Sequence, residues 1–513
     1  MIYATPKQMK TIEAAAVEAG ISYLELMENA GSKVTEFILN LMSYADFSGG
    51  IVILAGGGNN GGDGFVIARN LADAGKAVAV IIADKEPSTD LSAYEYCELS
   101  GHSGVTVLNL NDNIETIFSL FSSAGIIVDA VFGTGFHGEL PPSVKACFSF
   151  VSRCPAKKLA VDVPSGGNCL SGEVADGTIK ADFTVTLACK KTGMELYPLK
   201  EYCGQIYTED IGIPEECFSS VGCLLEDADF SAVKALIPKR KSDSHKGSFG
   251  KLLNISGSRC MSGAAALSTL AALRSGAGIV KLASTETVIN RLASSIFEAV
   301  YLPLKETCDG SISADNSDIL DKEIKNYSAV SIGCGLSCTA DTKKITENIL
   351  TRAECPIILD ADGINCIAGN IDIIKNTKNK LIITPHAGEL GRLLGISAKE
   401  AAADRLSAAV KLSSIYKIVV VAKGVPTFVV GDGKAYLCRT GNPGLSRGGS
   451  GDVLTGIIAG FVTQGIPPIE AALAGVLVHG HSADRLKDKT SMLGMLPTDV
   501  INELPYVFGE LNI

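Results

Sequence analysis

Short runs of β-branched and aliphatic residues alternate with Ala-rich stretches along almost the whole chain. In the first 200 residues "GIVIL", "VAVII", "GIIVDAVF", "KLAVDVPS" and "FTVTLAC" read as strands. After residue 250 the candidates are "KLLNIS", "GIVKLAS", "AVSIG", "PIILDA", "LIITP", "KIVVVA" and "TFVVGD". Strands that are apolar throughout, set between helices, belong in parallel sheets covered on both faces. The pattern therefore predicts an α/β protein built from two three-layer αβα domains. One segment departs from it: "VVVAKGVPTFVVGDGKAYL" carries a clear hairpin signal. The most apolar stretch, "GIIAGFVTQGIPPIEAALAGVLVHG", is broken by Gln464, Pro467, Pro468 and Glu470. It predicts two packed core helices rather than a membrane span. Between the halves, "IPEECFSSVG" and "IPKRKSDSHKG" are polar and punctuated by Pro and Gly, which places a boundary near 215–245 and domains at 1–215 and 228–508.

Composition narrows the function. With 513 residues, 46% of them hydrophobic, the chain has ample material for two cores. Its net charge of −11 argues against a nucleic-acid binder, so any phosphate must be held locally by loops and helix ends. The fifteen cysteines form no C-x-x-C pair and read as small buried hydrophobes of a reducing compartment. The opening "MIYATPKQMKTIEAAAVEAG" lacks the apolar core of a secretion signal, and a cytoplasmic location with no membrane partner is expected.

In the first half, "GGGNNGGDG" (Gly56 to Gly64) follows a strand and precedes a helix, and Gly56, Gly58 and Gly61 satisfy G-x-G-x-x-G. Asp84 stands where a ribose-binding acid would. Asp63, however, sits at the helix N-terminus, where a pyrophosphate favours positive potential. Such an acid calls for a cap, a cation or a hydroxyl partner instead. "VDAVFGTGFHGEL" and "AVDVPSGG" place Asp129, Asp162 and Ser165 at further strand ends. Strand ends of a parallel sheet share one edge, so Asn60, Asp129 and Ser165 converge as oxygen donors for a cation.

These three ordered motifs resemble the NAD(P)H-hydrate epimerase family over roughly residues 1–215. The resemblance implies a Rossmann-like domain that binds a hydrated nicotinamide dinucleotide and a potassium ion. It implies substrate contacts at Asn59, Asn60, Gly61, Gly62 and Asp63, at Gly133, Thr134, Gly135, Phe136, His137, Gly138 and Glu139, and at Asp162. It implies potassium at Asn60, Asp129 and Ser165, with Asp162 as the acid/base group at C6 of the hydrate.

The second half centres on "GNPGLSRGGSGDVLTG" (Gly441 to Gly456). Glycine amides ahead of a helix form a nest for a transferring phosphoryl group, and Asp452 at the loop's end is placed to take a proton from an acceptor hydroxyl. "GCGLS", "LDADGIN" and "TPHAGE" set Gly335, Asp360, Asp362, His386 and Glu389 at other strand ends. With "HKGSFG", these motifs resemble the NAD(P)H-hydrate dehydratase family over residues 228–508, on a ribokinase-like fold. The resemblance implies hydrate contacts at Ala264, Gly335, His386 and Asp452, and nucleotide contacts at Lys423, Gly424, Val425, Pro426, Thr427 and Gly451. It implies ADP as donor, giving AMP and phosphate, with Mg²⁺. The family's usual Gly-Met-Ala before the nest is here Gly444, Leu445, Ser446 and Arg447, which brings a charge near the phosphates. The expected partners are NADHX, NADPHX and ADP, and a homo-oligomer is expected. A ribokinase-like vitamin or sugar kinase shares the Asp452 loop but leaves the first half as an unexplained nucleotide-binding module.

Overall fold

The computed structural model describes residues 2–44, 49–110, 112 and 114–512. The chain divides into two compact units, 1–225 and 226–513.

In the first unit seven parallel strands lie in the order Val105–Asn109, Val78–Ile82, Gly50–Ala55, Ala124–Ala130, Lys157–Val161, Phe183–Leu187 and Gln205–Glu209. Both faces are buried. Ile51, Ile53, Val80 and Val128 pack toward Val34, Ile38 and Phe65, whereas Val52, Leu54, Ile81 and Ile127 pack toward Phe121, Val144 and Phe148. This explains why the strands read as unbroken apolar runs. The strand order reverses between Gly50–Ala55 and Ala124–Ala130. The crevice that ligands use in a doubly wound sheet opens at such a point.

The sequence placed the helix after the glycine loop at Phe65, but the helix already begins at Asn59. "NNGGDG" is therefore its first two turns. Glycine is a poor helix former, and close packing accounts for it here. A Cβ on Gly61 would lie 1.8 Å from the Gly56 carbonyl oxygen, and one on Gly62 would lie 2.7 Å from Met27 Sδ. The missing side chains let the helix start sit directly on the strand-end loop.

In the second unit seven parallel strands run in the order Val300–Leu304, Ile279–Thr285, Lys251–Ile255, Ala329–Ile332, Ile357–Leu359, Leu381–Ile383 and Val419–Ala422. The expected hairpin follows: Thr427–Gly431 and Lys434–Cys438 extend the sheet antiparallel. The expected pair of core helices is also present, as Ser450–Thr463 and Pro468–Gly494, with non-helical backbone at Ser491 in the second. No described helix is long and apolar enough to cross a membrane.

Helix Ser450–Thr463 crosses helix Ser262–Arg274 at its glycines. A Cβ on Gly456 would lie 2.3 Å from the Ser268 carbonyl oxygen. Replacing Gly456 with Ala should therefore destabilise this unit by about 1–3 kcal/mol, overpacking outweighing the gain of up to about 1 kcal/mol in helix propensity. Urea titration followed by the unfolding midpoint measures it.

Candidate functional sites

In the first unit a cavity of about 700 Å³ opens at the strand-order reversal. Its wall contains Asn59, Asn60, Asp63, Gly133, Thr134, Gly135, Phe136, His137, Glu139 and Asp162, together with Asp84. Gly61, Gly62 and Gly138 are not on that wall. The first two back onto Gly56 and Met27, and Gly138 turns the chain at a φ of +89°.

Asp162 occupies the left-handed region with a φ of +65°. A non-glycine residue rarely adopts that conformation, and here three donors hold its carboxylate in place. Thr186 Oγ1 and the Leu187 amide each donate to Oδ1 at 3.1 Å, and the buried ammonium of Lys191 donates to the same oxygen. Oδ2 has no partner among the described residues and is the atom a ligand can reach. Lys191 also donates to Thr186 Oγ1 at 3.1 Å and to the Leu187 carbonyl at 2.8 Å. Burial is the largest influence and opposes its charge, but Asp162 together with the neighbouring Cys189 and Cys169 raises the ammonium above its usual range. Nearby, Asp63 is pushed well above the carboxylate range by burial and then by Asp162 and Glu13. Glu13 is raised by burial and by Asp162. The cavity thus juxtaposes one ion-paired acid with two that hold their protons more tightly.

Behind the wall, Asp129 and Ser165 form a tight cluster. Ser165 donates to Asp129 through Oγ at 2.5 Å and through its amide at 2.9 Å, and the Phe132 amide donates to Ser165 Oγ at 2.7 Å. Burial pushes Asp129 up to about 6. Asn60 approaches from the other side. A Cβ on Gly133 would meet its side chain at 3.4 Å, and its buried Nδ2 has no hydrogen-bond partner among the described residues.

In the second unit Gly449 enters the helix at a φ of +99°. The Val453 amide makes the first helical bond, to the Gly449 carbonyl at 3.1 Å, so the amides of Gly451 and Asp452 ahead of it have no intrahelical acceptor. A Cβ on Gly451 would lie 3.4 Å from Lys423 Nζ and 3.8 Å from Asp360 Oδ2. Lys423 Nζ donates to Asp360 Oδ1 at 2.8 Å, Thr384 Oγ1 donates to the same oxygen at 2.6 Å, and Thr455 Oγ1 donates to Oδ2 at 2.8 Å. Although burial works against it, this set, led by Lys423, lowers the Asp360 carboxyl below its usual range. Asp452 is different. Burial first, and then the neighbouring Asp360 charge, push it up to about 6.

Ala264 and Gly335 also meet: a Cβ on Gly335, whose φ is +61°, would lie 2.8 Å from Ala264 Cβ. His386 caps helix Ala387–Leu394 by accepting from the Gly388 amide at 2.9 Å, with its side chain largely exposed. Arg405 holds the loop after Lys423 by donating to the carbonyls of Pro426 at 2.8 Å and Val425 at 3.2 Å. Thr427 Oγ1 donates to the Gly424 carbonyl at 3.0 Å. Arg447 donates to the Leu493 carbonyl, so its charge is engaged there.

Residues 252–506 match the family model described as NAD(P)H-hydrate dehydratase, and residues 23–193 match that of the YjeF-related protein N-terminus. The bifunctional NAD(P)H-hydrate repair enzyme of Moorella thermoacetica is 34% identical over 97% of this chain and 94% of its own. Its counterpart in Escherichia coli K12 is 32% identical over 96% and 90%. The chain belongs to the bifunctional NAD(P)H-hydrate repair enzyme family. An ADP/ATP-dependent NAD(P)H-hydrate dehydratase from Bacillus subtilis, crystallised with ATP and Mg²⁺, is 32% identical over 56% of this chain and 99% of its own, with a TM-score of 0.49. The kinase alternative is not better supported, because the repair-enzyme matches span both halves.

For a member of this family, the sequence reading missed several groups. Lys191 had a visible signal, a polar "KK" directly after the apolar strand "FTVTLAC". Glu13 gave none, since it lies on the helix Pro6–Glu18, far from every glycine motif. Thr384, Thr455 and Cys334 surround Asp360 and Asp452; they lie within the quoted motifs "TPHAGE", "GNPGLSRGGSGDVLTG" and "GCGLS" but are not singled out there.

Proposed function

We propose that the first unit interconverts the epimers of hydrated NADH and NADPH, and that the second dehydrates one epimer at the expense of a nucleoside diphosphate. One observation carries the reading: at a single helix start, two amides with no intrahelical acceptor and a raised acid, Asp452, lie within reach of the Lys423–Asp360 pair. The hydrate's C6 hydroxyl is a poor leaving group. Asp452 takes its proton while the amides of Gly451 and Asp452 hold the phosphoryl group arriving from ADP. Phosphate then departs, pushed by the lone pair of the ring nitrogen, and loss of the C5 proton to solvent from the resulting iminium restores the reduced nicotinamide, with AMP as the other product. Ala264, Gly335 and His386 contact the hydrate, and Lys423 to Thr427 face the nucleotide.

Cys334, Asp360 and Asp452 offer ligand atoms within 4.8 Å of one another. That set does not suit Mg²⁺. A thiol is soft, and both Asp360 oxygens already serve Lys423, Thr384 and Thr455. No protein ligand is therefore assigned to Mg²⁺, which would supply charge neutralisation for phosphoryl transfer.

In the first unit Asp162 is the acid/base group for the C6 hydroxyl, assisting ring opening or the loss and return of that hydroxyl, and Lys191 and Thr186 hold its carboxylate in place. The Asn60, Asp129 and Ser165 cluster fits K⁺: it offers hard oxygens, a carboxylate that burial alone disfavours, and an amide whose buried nitrogen has no acceptor. An Asn amide is turned by a simple flip, which would present its oxygen to the ion. Potassium would supply positive charge beside the substrate's phosphates.

Incubating the purified protein with both hydrate epimers, and with ADP or ATP in turn, tests the whole reading. Complete conversion to reduced nicotinamide, read by absorbance, requires both activities; conversion that stops at one epimer leaves only the second. Two further outcomes are expected. Below the Asp452 midpoint of about 6, dehydratase kcat/KM should fall about tenfold per pH unit, because only the deprotonated acid accepts a proton, and above it the profile should level off. Replacing K⁺ with tetramethylammonium at constant ionic strength should slow epimerisation and leave dehydration of the accepted epimer unchanged.

A further inference from the structure

Cys338 and Cys366 form an unassigned pair beside the second site. Cys338 is exposed and directly follows the loop Gly333–Ser337. Cys366 is buried on helix Asp362–Ile367. Their sulfurs lie 3.8 Å apart. The two elements are already joined, because the Ser337 amide donates to Asp362 Oδ2 at 2.8 Å. Ser337 itself sits at a φ of +66°, a conformation that its surroundings must hold. Its carbonyl accepts from Thr342 Oγ1 at 2.7 Å, and Cys366 Sγ lies 3.7 Å from the same hydroxyl.

We propose that Cys338 and Cys366 are a dithiol modification site, which closes to a disulfide on exchange with a small disulfide such as oxidised glutathione and pins the Gly335 loop to the Asp362 helix. A disulfide needs the sulfurs at about 2.05 Å, so they must close by roughly 1.8 Å, a movement the proposal assigns to the exposed Cys338 side chain. Exposure decides the order. The thiolate of Cys338 attacks one sulfur of glutathione disulfide, giving a mixed disulfide and one glutathione. Cys366 then attacks Cys338 Sγ and passes its proton to the departing sulfur, releasing a second glutathione. Burial pushes the Cys366 thiol up to about 12, so it waits as the resolving partner rather than reacting first.

Mapping unreduced peptides of the full-length protein after treatment with oxidised glutathione tests this. The expected product is a Cys338–Cys366 linked peptide, with amide hydrogen exchange across 333–338 slowed several-fold and both effects reversed by dithiothreitol. Cys366→Ser should stop at a glutathione adduct on Cys338, and Cys338→Ser should abolish both products. A wild-type protein that stops at the adduct, that leaves both thiols unmodified, or that forms the link with unchanged exchange overturns the proposal. None of these readings depends on which reaction the site catalyses.

Discussion

Asp452→Asn should lower the dehydratase kcat by roughly 10²–10⁴-fold while leaving epimerisation unchanged. Asparagine keeps the size of the side chain and its place in the first turn of helix Ser450–Thr463. It removes only the ability to accept a proton. The two amides proposed to hold the phosphoryl group are main-chain atoms and stay, so binding of nucleotide and hydrate should be little altered and the loss should fall on kcat rather than KM. A bland alternative is that Asp452 merely complements the helix dipole. Its loss would then cost about 0.3–1 kcal/mol of stability and leave the rate within a few-fold. The two accounts differ by at least an order of magnitude in rate. A steady-state assay on the accepted epimer, with the melting temperature measured in parallel, separates them. Full activity in the variant would remove Asp452 from the chemistry altogether.

The contrast between Asp452 and Asp360 shows how far a sequence can be read. Both acids stood out as strand-end or loop acids in glycine-rich settings. Their protonation depends on neighbours that spacing does not reveal. Asp360 meets Lys423, Thr384 and Thr455, from elements 24 to 95 residues away, and is held charged. Asp452 lies beside that charge without a cation of its own and is raised. The parallel strands and the hairpin were legible because burial on both faces writes itself into each segment locally. The start of the helix at Asn59 was not. Glycines argue for a loop by propensity, and only the carbonyl of Gly56 and the sulfur of Met27 pressing on them explain a helix there. Likewise, three glycine motifs converge on one cavity, but Glu13 and Lys191 reach it from a flanking helix and the short strand Lys190–Lys191.

Asp162 and Lys191 permit a sharper test than a single substitution. Asp162→Asn should abolish measurable epimerisation, yet it also strands a buried ammonium, and breaking such a pair costs about 3–5 kcal/mol. A misfolded variant would be inactive for the wrong reason. Replacing both residues, Asp162→Asn with Lys191→Met, removes the charge together with its partner. Met fills most of the volume of the Lys stem, so stability should return to near that of the parent. If Asp162 only shapes the cavity, epimerisation should return with stability. If it is the acid/base group for the C6 hydroxyl, the double variant should be folded and inactive, with a loss of roughly 10²-fold or more. In a mixture of both hydrates with ADP, that protein should consume the epimer its second unit accepts and leave the other, while the parent consumes both. Recovery of full conversion by the double variant would mean that another group serves as acid/base for the C6 hydroxyl, and Asp63 and Glu13, whose raised carboxyls line the same cavity, are the acids next in position to do so.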